Sequence, residues 1–80
     1  MNDLLTSILT RLFMNTRLVD ANLIGFKLCE FTGDKFHTSD VIKKDDNHVI
    51  IKIQSEQTTQ YVHLIGKNGT TRQIYTTDSI

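Results

Sequence analysis

The strongest constraint in this chain is a change of hydrophobic period near its start. Leu4, Leu5, Ile8, Leu9, Leu12 and Phe13 recur at i, i+1, i+4, i+5, i+8 and i+9, one wide apolar stripe at helical spacing. Thr6, Ser7, Thr10 and Arg11 fall largely opposite it. The spacing predicts a helix over residues 3–14. Asn2 or Asp3 can cap its first N–H groups, and Asn15 and Thr16 end it.

Beyond the helix the period falls to two. Ile24, Phe26 and Leu28 alternate with Gly25, Lys27 and Cys29, the pattern of a half-buried strand. Leu18 and Val19 are out of phase with that set, which implies a bend or bulge near Asn22. Phe31-Thr32-Gly33-Asp34-Lys35 reads as a turn in which Gly33 supplies positive φ. A second strand, polar in its middle, is expected from Phe36 to Ile42. Lys43 to Asn47 make a charged loop. His48-Val-Ile-Ile-Lys-Ile53 carries β-branched residues on both faces, the mark of a central strand. Ser55-Glu56-Gln57 is a turn, Thr58–Ile65 a fourth strand, Asn68-Gly69 a strong hairpin signal, and Thr70–Thr77 a fifth strand. There is no proline, repeat, linker or low-complexity stretch. One helix and five short strands with tight turns predict a mostly β fold. The expectation is a single domain over 1–80: a helix at 3–14, and over 17–80 a small five-stranded antiparallel barrel, Sm-like or SH3-like (an OB-like barrel fits too), with the helix across one open end.

Composition then limits what such a fold could do. The 80 residues carry 9 Lys+Arg and 9 Asp+Glu, for a net charge of zero with His neutral. A general nucleic-acid binder draws affinity from phosphate neutralisation and usually has a basic excess. Any RNA binding here therefore rests on local patches and base contacts. At 39% hydrophobic residues the chain is too apolar for a disordered tail, and no run approaches the ~20 apolar residues of a membrane span. The amphipathic helix carries a single cation, Arg11, so core packing explains it better than a membrane surface does. The lone Cys29 forms no internal disulfide and points to a reducing compartment. The Met1-Asn-Asp-Leu-Leu start lacks the features of a secretory signal. The expected location is cytoplasmic, in a bacterium or a cell infected by a virus or phage. Small domains of roughly 70–80 residues lean on extra support, and with no disulfide and no metal site in prospect, self-association is the expected source.

Sites of covalent or metal chemistry are poorly supplied. His37, His48, His63 and Cys29 lie far apart with no CxxC or HxxxH spacing, whereas zinc needs about four ligands, usually in short pairs. Cys29 sits beside Glu30, whose charge opposes a thiolate. Asp45 and Asp46 alone hold a divalent ion weakly. No GxxxxGK, GxGxxG or GxSxG motif occurs. No catalytic residue, metal or cofactor is expected, and the protein is not expected to be an enzyme.

Three segments carry a family resemblance. Ile24-x-Phe26-x-Leu28-x-x-Phe31-Thr32-Gly33 resembles the first strand and turn of the Sm-like superfamily, and within it of the Hfq-like bacterial RNA chaperones. Asp46-Asn47-His48-Val49-Ile50-Ile51 resembles their entry into the third strand. Tyr61-Val62-His63-Leu64-Ile65 is similar to the family's Tyr-Lys-His-Ala-Ile, with Val62 where the lysine stands. A second frame instead matches Gln73–Ile80 to that last segment, and His63 then loses its assigned role. The resemblance implies a homo-oligomeric ring, a hexamer, in which fourth and fifth strands of neighbours pair. It also implies sites for uridine-rich single-stranded RNA between subunits. By matched position Asn47, His48, Tyr61 and His63 would form the RNA-binding set, with His48 in place of a stacking aromatic and His63 at the pocket rim. The alternative is a small phage or mobile-element protein that binds and modulates a host protein through its β-sheet edge.

Overall fold

The computed structural model describes residues 3–33, 35–45 and 47–80. Helix α1 (Asp3–Phe13) is followed by a 3-10 turn (Leu18–Asp20) and helix α2 (Ala21–Thr32). Four strands complete the chain: β1 (His37–Lys44), β2 (His48–Gln54), β3 (Thr59–Lys67) and β4 (Thr70–Thr77). More of the chain lies in strands than in α-helices. The strands form an antiparallel sheet in the order β1-β2-β3-β4.

Helix α1 arises as its stripe dictates. Leu5, Leu9 and Phe13 are fully buried, with Ile8 and Leu12 packed beside them. It stops at Asn15, whose φ of 66° leaves the helical region; short polar side chains tolerate that conformation best after glycine. The Thr16 hydroxyl donates back to the Phe13 carbonyl. Of the two caps expected from sequence, Asn2 lies outside the described residues and Asp3 is the first residue of α1.

Residues 24–29 are helical, not a strand. Ile24, Leu28 and Phe31 also stand at i, i+4 and i+7, so a helical period was present alongside the period of two. The three-residue 3-10 turn Leu18–Asp20 delivers the chain directly into α2. Gly33 does take positive φ (63°), as the left-handed residue that closes α2 rather than the centre of a hairpin. Its N–H bonds to the Cys29 and Glu30 carbonyls, which satisfies orphan acceptors at the helix end. The Thr32 hydroxyl bonds back to the Leu28 carbonyl at 2.8 Å and accepts the Phe36 N–H at 3.2 Å, tying α2 to β1.

Both helices pack on one face of the sheet. Leu5, Leu9, Phe13, Leu18 and Leu28 meet Val49, Ile51 and Ile53 of β2 and Val62 and Leu64 of β3 in one core. The sheet is open: β1 and β4 are its edges, so no barrel closes. A fifth segment, Asn15–Leu18, does join the sheet edge, though not where the sequence suggested. Asn15 N–H bonds to the Thr71 carbonyl (3.1 Å), Thr71 N–H to Thr16 (2.8 Å) and Leu18 N–H to Gly69 (2.8 Å), around a bridge between Arg17 and Thr70. This strap covers the first residues of the β4 edge. Strand β3 is paired on both sides, to β2 and to β4. The neighbour pairing implied by the resemblance would use residues 58–65 and 70–77, and these already pair within one chain. No described helix is long and apolar enough to cross a membrane.

Candidate nucleic-acid interface on the helix-free face of the sheet

Alternation along the strands sends one set of side chains away from the helices. Val49, Ile51 and Ile53 enter the core, so His48, Ile50 and Lys52 face the other way. Register carries this across the sheet. Ile50 lies opposite His63, Lys52 opposite Tyr61, and His48 opposite Ile65. On the far side His63 lies opposite Tyr75, and Tyr61 opposite Thr77. No described helix covers this face.

His63 sits at its centre and is only 7% exposed. Its ring is nearly parallel to that of Tyr75, with centroids 4.5 Å apart and 5° between planes, the geometry of a stacked pair. Its Nδ1 lies 3.3 Å from His48 Nε2, and its Nε2 lies 2.9 Å from Thr77 Oγ1. A neutral His63 can donate through one of these nitrogens and accept through the other. Burial holds its pKa below the ordinary histidine value, and repulsion from His48 adds to the effect. Tyr75 is 39% exposed, so the stack has a wet outer member over a sheltered one.

Of the four residues implied by the resemblance, the structure brings His48 and His63 into contact. Tyr61 shares their face, beside Lys52. Asn47 lies exposed in the β1–β2 turn next to His48. Its N–H bonds to Asp45 Oδ1 at 2.9 Å, and its carbonyl accepts the Gly66 N–H at 2.8 Å. Asp45 Oδ1 also accepts the His48 N–H at 2.7 Å, an Asx turn that fixes the entry to β2. Asp46 lies outside the described residues.

Sequence reasoning missed Tyr75 and Thr77. The Asn68-Gly69 turn alone, with φ of 55° and 78°, would set Ile74 opposite His63. A bulge changes this: Gly66 pairs with Thr71 but Ile65 pairs with Gln73, which leaves Arg72 as the extra residue. Arg72 turns to Asn15, donating to its Oδ1 at 3.1 Å. The one-residue slip replaces an aliphatic neighbour of His63 with an aromatic one.

No cluster of three or more His, Cys, Asp or Glu that could hold a metal ion occurs among the described residues. Cys29 is half-buried on α2 and forms no disulfide among the described residues. A cavity of about 530 Å³ opens at the other end of the sheet, lined by Gly33, Lys35, Phe36, Ser55, Glu56 and Gln57. No family model, curated protein or solved structure matches the chain.

Proposed function

We propose that this chain binds uridine-rich single-stranded RNA on the helix-free face of its sheet and carries out no catalysis, in a cytoplasmic setting. The observation that carries the reading is the parallel His63–Tyr75 stack on the helix-free face of the sheet. An antiparallel sheet backed by helices and bearing aromatic rings on its open face offers a splayed base a flat surface. Base–aromatic stacking contributes about 1–3 kcal/mol per base. Tyr75 is the ring that a first base meets, with Tyr61 and His48 flanking it, and Lys52 supplies a cation for the phosphate. Zero net charge agrees with affinity drawn from stacking more than from counterion release.

Fluorescence anisotropy with labelled oligo-uridine tests this. Tyr75→Ala weakens binding by roughly 5- to 150-fold, the equivalent of one stacked base, whereas Lys35→Ala at the far end leaves it unchanged. No binding at low salt, or equal effects of the two substitutions, rejects the reading.

A second reading has its own observation. Strand β1 pairs on one side only, so its outer backbone edge is open to an added strand from a host protein. Two register irregularities, between Thr38 and Asp40 and between Val41 and Lys43, interrupt that edge, which disfavours long pairing. A ring of copies, the Sm-like and Hfq-like arrangement, would have to join β1 of one copy to β4 of the next. Light scattering at micromolar concentration separates such a ring from a monomer.

A further inference from the structure

We propose that the His48–His63 pair takes up a single proton when single-stranded RNA occupies the sheet face, so that binding strengthens as the pH falls through the histidine range. The proposal rests on the RNA reading above and adds its regulation.

The argument begins with hydrogen-bond bookkeeping. His48 Nε2, His63 Nδ1, His63 Nε2 and Thr77 Oγ1 form one chain with links of 3.3 and 2.9 Å. In the neutral state one N–H lies between the two rings. A first added proton fits without breaking the chain. It rides on whichever ring donates across the 3.3 Å gap, while the other ring accepts. A second proton sets two N–H groups against each other across the same gap and brings two like charges together. The pair is therefore a one-proton device, and its titration belongs to both rings jointly.

The surrounding groups decide when that proton enters. Lys52 on β2 shares the face and opposes a further positive charge. Tyr61 on β3 and Tyr75 on β4 share the face as well. On β1, Asp40 pairs with Lys52, and Lys43 stands at the register position across from Ile50. Asp45, at the β2 entry, holds the His48 N–H and favours positive charge there. A phosphodiester laid along the face tips this balance toward the protonated pair. By linkage, what RNA does to the proton the proton does to RNA.

The test is anisotropy with labelled oligo-uridine from about pH 8 to about pH 5.5 at constant ionic strength, with circular dichroism confirming the fold at each pH. The chain binds more tightly toward acid, by up to about tenfold per pH unit, the limit for one linked proton. The double variant His48→Gln, His63→Phe keeps a ring against Tyr75 and has no titrating pair; its binding, whatever its strength, is flat with pH. His37→Ala, on the far end of β1, keeps the slope. Binding that is independent of pH, or a slope that survives in the double variant, overturns the proposal and leaves the RNA reading standing. Absence of oligo-uridine binding at every pH removes both.

Discussion

Thr71 and His63 are polar residues buried in the fold, and each makes a separate prediction. Thr71 is fully buried and its hydroxyl has no partner. Its backbone is held by the strap, through Asn15 and Thr16, so the residue stays while its oxygen gains nothing. Thr71→Val keeps the shape and the β-branch and removes an orphaned group worth about 1–3 kcal/mol when buried unpaired. Urea unfolding should show a midpoint equal to or above that of the parent; a clear loss would mean that the hydroxyl is bonded. His63 makes the other prediction. Its folded pKa lies below the ordinary value because of burial and then His48, so the unfolded chain binds the proton more readily. The stability this contributes is complete above the unfolded histidine value of about 6.5. It is lost as the pH falls from there through the folded value. Urea midpoints at about pH 8 and about pH 5.5 should differ in that direction, and His63→Phe should reduce the difference. A midpoint that rises toward acid would contradict the assignment.

Among the elements, those whose burial is one-sided were legible and those with two compatible periods were not. The stripe Leu5, Leu9, Phe13 admits only a helix. Strands β2, β3 and β4 fall within two residues of their expected bounds, because β-branched runs and the Asn68-Gly69 turn leave few alternatives. Residues 24–29 carry both a period of two and a helical one, and tertiary packing of Leu28 against the core decided for the helix. The β3–β4 bulge left no trace in composition either. Leu18 lies against Gly66 at this bulge: a Cβ there would come 2.6 Å from Leu18 Cδ1 and 3.0 Å from the Thr70 carbonyl oxygen. Gly66→Ala should therefore cost about 1–3 kcal/mol, as overpacking does. Adding Leu18→Ala should recover part of that loss in a double-mutant cycle. Strict additivity of the two would show that the close approach is not what holds Gly66. The candidate site depends on the same junction, since the bulge sets Tyr75 rather than Ile74 against His63. That is why His48 and His63 could be singled out from sequence while their aromatic partner could not.

The whole molecule is a two-layer arrangement with helices on one side and an open sheet face on the other. Closure into a barrel would have needed a strand at 24–29 to join the two edges. With that segment helical, the sheet keeps one face for solvent, which antiparallel sheets accommodate, and that face collects His48, Tyr61, His63 and Tyr75. The central claim is that this face, and not the β1 edge, is the binding surface. Chemical-shift mapping of ¹⁵N-labelled protein with oligo-uridine tests it most directly. The account predicts that the largest shifts fall on His48, Lys52, Tyr61, His63, Tyr75 and Thr77, with β1 residues beyond Asp40 little changed. Shifts confined to β1 and its turns, or none at all on saturating RNA, would contradict it.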